Sequence, residues 1–496
     1  MFNFTFILII ICLILVFIKY LSINRNYWKT RNIKQVNGII WTFVTGKRSL
    51  PEIFKEIYDA HPKLPHVGTF LGIKPTLVLR DIENIEAVLH GDFRSFYSRG
   101  LVANTSDLLA DNLLFVEDFN RWKLMRQKNA PDFAISKLKN IFHAMDSSAR
   151  DFIDYIDKNP QFIKNPFHAV YAYTTSCVSS SLLGIQKETQ NTTKTLVSEI
   201  AYNSVKPSLK TNLKFALLNV SPTLFKLLNI KAFGEYEDLF INIMKKIMEE
   251  RRNDKNDNFD FIDTCLKMEE RGKLKDYVIG YETDVNIQLL AAQAFVFLLG
   301  GIESTATATH FTLLELSYNP KVLKKVHDEI DAIFKNNNDT LTFEDIDRLV
   351  YMDMVINESL RKYPPIASIQ RRCRKDTVLP VGQVKIEKDT LIIIPTYALH
   401  TDEKYFPNPD EFNPDRFSKE NKSKIVKFSY LPFGEGKRNC IGIKLANIEM
   451  KVGLAWLLRK YTIKEQIYTP SHTNRFEQSF FGLRDPNATY ELVPRT

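Results

Sequence analysis

Apolar residues recur at three- and four-residue spacing through 50–60, 121–130, 149–157, 166–184, 235–251, 284–318, 320–335, 350–363 and 443–460. That period belongs to helices with one buried face, so the spacing predicts a predominantly helical body. Short β-rich pieces at 66–80 (HVGTFLGIKPTLVLR), at 384–394 (VKIEKDTLIII) and near the C-terminus predict a small sheet. The expected fold class is mainly α with a small β subdomain (α+β). One predicted helix is unusually long. Thr283 or Asp284 can cap it, and the pattern runs to about Ser317 before Asn319-Pro320 stops it. That is roughly 50 Å of helix. Its middle, LLAAQAFVFLLGGI, is apolar almost all round, as in a buried central helix. A membrane span is the rival, but the run is short for one and Glu303 closes it.

The N-terminus has a different pattern. Phe2 to Ile18 is apolar apart from Asn3 and Thr5, and Lys19, Arg25, Lys29, Arg31 and Lys34 follow. A cleaved signal peptide would carry positive charge before the apolar run and a small-x-small site after it; neither is present. The stretch reads as an uncleaved signal anchor over 1–20, at the short end of a single span. Positive charge on its C-terminal side leaves the rest of the chain in the cytoplasm. A basic linker over 21–48 and one catalytic domain over 49–496 are expected to follow. The sequons at Asn421 and Asn487 would then never meet the glycosylation machinery.

Composition narrows the classes. The length of 496 residues alone suggests roughly three domains, but no Pro/Gly/Ser-rich linker or repeat divides the chain, so one large fused domain is expected. The net charge of +9 is spread over faces that also carry acids, and no nucleic-acid motif appears. Five scattered cysteines (Cys12, Cys177, Cys265, Cys373 and Cys440) include no CxxC pair, which argues against a zinc ribbon or a disulfide scaffold.

The densest chemistry is PFGEGKRNCIG, from Pro432 to Gly442. Neither phosphate-loop pattern fits: Asn439 stands where a dinucleotide loop needs its last glycine, and Lys437-Arg438 breaks a P-loop. Cys440 directly precedes the amphipathic stretch IKLANIEMKVGLAWLLRKY, so its sulfur lies beside a helix N-terminus, where the dipole favours thiolate. Gly436 and Gly442 leave bare backbone for something flat, and Arg438 supplies a cation for carboxylates. A single axial thiolate, free amides, a flat partner and a nearby cation describe haem iron with its propionates. Zinc would need more ligands than the loop offers.

These residues carry a resemblance. Phe433-x-x-Gly436-x-Arg438-x-Cys440-x-Gly442 resembles the haem-binding signature F-x-x-G-x-R-x-C-x-G of the cytochromes P450. Glu358-Ser-Leu-Arg361 matches that family's E-x-x-R, and Phe412-Asn-Pro414-Asp-Arg416-Phe417 resembles its F-x-P-x-R-F. Trp122-x-x-x-Arg126 matches W-x-x-x-R, and Gly300-Gly301-Ile302-Glu303-Ser304-Thr305 resembles [AG]-G-x-[DE]-T-[TS]. The motifs fall in the family's order over about residues 50–490, and the apolar N-terminus resembles the membrane-anchored microsomal type.

The resemblance implies haem b with Cys440 as axial iron ligand, and Phe433, Gly436 and Gly442 shaping its loop. Trp122, Arg126, Arg438 and Arg371 would meet the propionates, with Arg372 competing for the last role. Glu358, Arg361 and Arg416 would form a structural network; an exposed salt bridge would be worth less than about 1 kcal/mol. Glu303 and Ser304, with Thr305 as helper, would deliver protons. Here serine replaces the usual threonine, and a hydroxyl bonded to its own helix is the alternative. Arg121, Lys123, Lys128, Lys437 and Lys444 would form a basic platform for a reductase, or only a solubilising face. By similarity, Leu113, Phe115, Ala294, Phe295, Leu298, Ile366, Ala367, Ile369, Phe480 and Phe481 would line a lipophilic pocket.

The implied reaction inserts one atom of O2 into a lipophilic small molecule. Electrons would come from NADPH through a flavoprotein reductase, whose flavins serve this chain only indirectly, with cytochrome b5 as a second candidate donor. The implied location is the endoplasmic reticulum membrane. A haem-thiolate isomerase, dehydratase or lyase is the first rival, and Glu303-Ser304 argues against it. A non-catalytic haem sensor is the second.

Overall fold

The long apolar pattern becomes one helix, Ile287–Tyr318, whose side chains are mostly buried among the helices packed round it. In the computed structural model, residues 26–46, 48–185, 196–253, 258–467, 476–480, 482–485 and 487–495 are described. The apolar run Phe2–Ile18 and the pocket candidate Phe481 lie outside them. Among the described residues the central helix alone is long and apolar enough to cross a membrane. Its burial inside the protein favours the core reading. It starts later than the pattern predicts. The cap is Asn286, whose side chain accepts from Leu289 N at 2.8 Å. Thr283 and Asp284 belong instead to a two-stranded hairpin, Lys273–Asp276 with Tyr281–Asp284. Periodicity missed this hairpin because its strands are short and polar.

Most of the other predicted helices are present within a few residues: Leu50–Asp59, Phe119–Asn129, Phe167–Leu183, Glu237–Asn253, Pro320–Asn336, Val350–Lys362 and Ile443–Lys460. The stretch 149–157 belongs to a longer helix, Phe142–Lys158, and helices Leu196–Val205, Leu209–Val220 and Phe261–Arg271 were not foreseen. Phe142–Lys158, Phe167–Leu183 and Ile443–Lys460 pack together beside the central helix. Burying each Phe, Leu or Ile between them contributes about 1.5–3 kcal/mol.

The sheet is four-stranded. His66–Leu71 pairs antiparallel with Lys74–Leu79, which runs parallel to Leu391–Ile394, which in turn pairs antiparallel with Ile369–Arg372. Its register sets Arg371 opposite Ile392. Part of the stretch read as a linker packs on this sheet. Trp28 is buried and donates through Nε1 to Thr69 O at 2.7 Å, and Ile33, Ile39 and Phe43 are buried as well.

Candidate active site

Pro432 to Gly442 forms a tight loop that leads into the helix Ile443–Lys460. Cys440 N donates to Phe433 O at 2.8 Å, which turns the loop back on itself. Gly436 opens a single 3-10 turn, Gly436–Arg438, at φ 75°. A Cβ there would lie 2.1 Å from the Leu89 carbonyl oxygen, so any larger residue must break the loop. A Cβ at Gly442 would make only ordinary contact with Phe133. The loop's own approach to Leu89 thus requires glycine at 436.

The Cys440 sulfur is accessible to water, yet protein surrounds it closely enough that burial pushes the thiol up; the Gly442 amide and the guanidinium groups of Arg126 and Arg99 pull the other way. Helix position alone does not make a thiolate here. A bound cation would be needed to tip the balance.

The cations around the loop are unusual. Arg99, Arg371 and Arg438 crowd together, and among the described residues none has a carboxylate within ion-pair distance. Arg438 donates to the carbonyls of Leu113 (3.1 Å) and Val116 (3.2 Å), and Arg99 donates to Arg438 O at 3.0 Å. Nε of Arg371 and Nε of Arg438 are buried without a partner. Burial, then the charge of Arg99, pulls Arg371 down to about 9; burial, then Arg126, pulls Arg99 to about 10. Arg438 is pushed well below its ordinary value by burial and by the other two. Buried cations without counter-charge are costly, so the cluster suits a ligand carrying two carboxylates, and the propionates of haem fit.

Arg372 is not part of this cluster, because it pairs with Asp389 at 2.5 Å. Arg126 is also committed elsewhere: Nη1 and Nη2 donate to the backbone oxygen (3.0 Å) and Oδ1 (2.9 Å) of Asn439, bracing the Cys440 loop. Trp122 is buried, with the Arg438 guanidinium 4.4 Å above its ring. Sequence reasoning missed Arg99, for which no motif exists.

On the central helix, Gly300 is the one exposed residue of an otherwise covered stretch, with Ser304 one turn on. Ser304 Oγ donates to Gly300 O, so its proton is spent on its own helix, as the alternative foresaw. Thr305 is buried and its Oγ1 has no partner among the described residues. Glu303 Oε1 lies 3.1 Å from Arg484 Nε, an ion pair that the sequence did not suggest.

Behind the loop, Arg361 and Glu358 form a two-pronged pair at 2.9 Å with both side chains fully buried. Arg416 Nε reaches Glu358 Oε1 at 3.3 Å, and Asn413 N donates to the same oxygen at 2.9 Å. Arg361 also donates to His400 O (2.8 Å) and Pro409 O (2.7 Å). His400, absent from any motif, accepts from Leu431 N at 2.8 Å and so ties this network to the Cys440 loop.

The candidate pocket residues divide. Leu113, Phe115, Ala294, Phe295, Leu298, Ala367 and Phe480 are buried, Ile369 is half-buried, and Ile366 is 50% exposed. Phe295 packs into the core against Phe240 (5.2 Å between ring centres) and Phe233 (4.9 Å), and Phe115 meets Phe233 at 5.5 Å. Phe233 is a buried neighbour of both that the sequence did not single out. The backbone at Ala232 and Phe233 is clasped by Asp107 Oδ2, which accepts from their amides at 2.5 and 3.2 Å. Ile369 lies beside Gly434 of the Cys440 loop, and Ile366 bridges to Gly482.

The expected basic platform is smaller than five residues. Arg121 is paired with Asp111 and Lys123 with Asp276 (2.9 Å), so both charges are neutralised. Among the described residues Lys128, Lys437 and Lys444 make no ion pair.

Comparison with known proteins agrees with this architecture. The family model "Cytochrome P450" matches residues 36–491. Cytochrome P450 6B2 of Helicoverpa armigera is 30% identical over 475 residues, spanning 94% of this chain and 93% of the relative. Cytochrome P450 6k1 of Blattella germanica is 30% identical over 470 residues (91% and 90%), and cytochrome P450 9e2 of the same insect is 31% identical over 491 residues (92% of each). The chain belongs to the cytochrome P450 family. It is an enzyme of the monooxygenase class with the family's α+β fold, and the family implies haem as its cofactor.

Proposed function

We propose that this chain holds haem between the central helix and the Cys440 loop and oxygenates a lipophilic small molecule with electrons from NADPH. The observation that carries this is the cluster of Arg99, Arg371 and Arg438, which has no carboxylate partner among the described residues, beside an exposed Cys440. Cys440 would ligate the iron, and the three guanidinium groups would bind the propionates, bidentately where their forks allow. Haem bound there supplies the chemistry that activates O2 for insertion of one atom into substrate. Arg126 and Gly436 hold the loop, Trp122 supports Arg438, and the Glu358–Arg361–Arg416 network with His400 fixes the base of the loop. Glu303, ion-paired with Arg484, would take up and release protons. Ser304 is left as an acceptor, and Thr305 offers a free hydroxyl.

Lys128, Lys437 and Lys444 suit an acidic flavoprotein reductase arriving from the Cys440 side. Membrane attachment at the endoplasmic reticulum is supported by a patch outside the pocket. Leu209, Leu213, Leu224, Leu227 and Leu228 are exposed, as are Trp41 and Val44. The two groups adjoin through Gln478, which donates to Phe43 O and accepts at its backbone oxygen from Asn212 Nδ2. Such a patch suits a lipid surface.

The test is turnover of the haem-loaded full chain in lipid vesicles with NADPH, a flavoprotein reductase and isotopically labelled O2. One labelled oxygen in a lipophilic product is the expected result. Product formed without reductase or O2 would instead support an isomerase, dehydratase or lyase.

Gly300 gives a second handle. An added Cβ meets nothing within 4 Å, and alanine in a helix interior is favoured over glycine by about 1 kcal/mol. Gly300→Ala is therefore expected to raise the melting temperature by about 1 °C while narrowing the space over the Cys440 side. Phenylimidazole should then bind several-fold more weakly to the haem-loaded protein, with plain imidazole little changed. Equal effects on both ligands would show that Gly300 does not border the pocket.

A further inference from the structure

Arg484 sits between two carboxylates. Its Nε lies 3.1 Å from Glu303 Oε1 on the central helix and 3.5 Å from Glu477 Oε2 on the C-terminal segment. The guanidinium is buried, with the rings of Tyr202 (5.1 Å) and Phe167 (5.5 Å) against it. At these distances it is ion-paired with both acids but aligned with neither, and Nε, Nη1 and Nη2 all lack a well-directed acceptor. Glu303 Oε2, Glu477 Oε2 and the Tyr171 hydroxyl are buried in the same place without a hydrogen-bond partner among the described residues. Such a concentration of unmet donors and acceptors is what bridging water satisfies.

The charge count makes the cluster unusual. Two carboxylates share one guanidinium, and the second cation nearby, Lys206, is exposed and acts on Glu477 from the solvent side, so the inner part of the cluster is left with excess negative charge. Holding one proton removes that charge. The other titratable and charged groups facing the cluster are Tyr171 and His168 on the helix Phe167–Leu183, Tyr202 on Leu196–Val205, Lys206 just after it, and Asp485 beside Arg484. Lys206 and His168 are exposed, so the Glu477 side of the cluster meets solvent there.

We propose that Glu303, Arg484 and Glu477 form a proton-holding relay, in which Glu477 draws protons from solvent and Arg484, a positioning residue, lets the two carboxylates share one. The inference rests on Glu303 being the acid of the oxygenation reaction. A proton from water binds a Glu477 oxygen; that O–H breaks as a proton arrives at Glu303, with water held by Tyr171 and the Arg484 N–H groups between them. Glu303 then releases its proton into the site and is recharged from Glu477. The directions of titration agree. Burial pushes both carboxyls up, Arg484 opposes it in each, and Glu477 adds to the upward pressure on Glu303.

The test uses the haem-loaded full chain and three variants: Glu477→Gln, Arg484→Gln and Glu303→Gln. Wild-type minus variant infrared spectra at neutral pH are expected to show a protonated-carboxyl band for Glu477→Gln, because Arg484 then serves Glu303 alone, while the band of the buried Glu449 cancels. Arg484→Gln is expected to invert it, the underlying absorption rising about twofold since neither acid keeps a cation. With NADPH and reductase, Glu477→Gln and Glu303→Gln should both raise several-fold the share of electrons lost as hydrogen peroxide. No difference band for either Glu477→Gln or Arg484→Gln overturns the relay and leaves a structural ion pair. If Arg484→Gln does not fold, no difference band for Glu477→Gln, whose side chain is partly exposed, overturns it alone. Peroxide leakage that rises in Glu303→Gln but not in Glu477→Gln keeps the acid and removes the relay. Leakage unchanged in Glu303→Gln removes the acid itself.

Discussion

Reduced with dithionite and exposed to carbon monoxide, the haem-loaded wild type is expected to show a strongly red-shifted Soret band, and Cys440→Ala is expected to show none. The reason is local. Cys440 is the only cysteine among the described residues with an accessible sulfur; Cys177, Cys265 and Cys373 are buried. Nothing else in the loop Pro432–Gly442 can donate a thiolate. Cys440→Ser tests the same point more gently, because it keeps the volume and the hydrogen bond of Cys440 N to Phe433 O while removing the sulfur. A red-shifted band surviving in both variants, or a band typical of nitrogen-ligated haem in the wild type, would show that the loop does not provide the ligand.

Arg361→Ala is expected to yield little folded protein and no haem-loaded protein. The change strips two donors from Glu358 and two from the carbonyls of His400 and Pro409. It leaves a fully buried carboxylate facing only Arg416 and the Asn413 amide. Breaking a buried pair from one side costs about 3–5 kcal/mol, a large share of the about 5–15 kcal/mol by which a protein is stable. Arg361→Lys keeps the charge but not the planar fork, and is expected to fail almost as badly. Urea denaturation of both variants measures it; a loss below about 1 kcal/mol, as for an exposed pair, would contradict the buried role.

Glu358 and Arg361 lie three residues apart on one helix, so local spacing brought them together, and Cys440 announced itself by its loop. The residues missed lie far apart in sequence. Arg99 reaches Arg438 across 339 positions, and His400 meets Leu431 across 31. Arg484 and Glu303 meet only because the C-terminal segment folds back on the central helix. No periodicity encodes such contacts. The late start of the central helix was legible in principle, since Asn286 is a good cap, but the hydrophobic pattern drew the boundary too early. Nothing in the local sequence pairs Arg121 or Lys123, because their acidic partners, Asp111 and Asp276, lie in other segments.

His400 also sets a limit on acid tolerance. Its ring is fully buried, its Nε2 accepts from Leu431 N and its Nδ1 faces Arg361 O at 3.1 Å, so the neutral ring is fully satisfied. Burial, then the neighbouring charge of Arg361, pulls it from its ordinary 6.5 down to about 3. The unfolded chain therefore binds a proton that the native chain refuses. Stability is whole above pH 6.5 and drains away as pH falls toward about 3, by up to about 1.4 kcal/mol for each pH unit. A denaturation midpoint that stays flat between about pH 6 and about pH 4 would contradict this. Once protonated, Nε2 can no longer accept from Leu431, the residue immediately before Pro432. Acid thus loosens the cysteine loop from its far side, through a ring that never touches the sulfur.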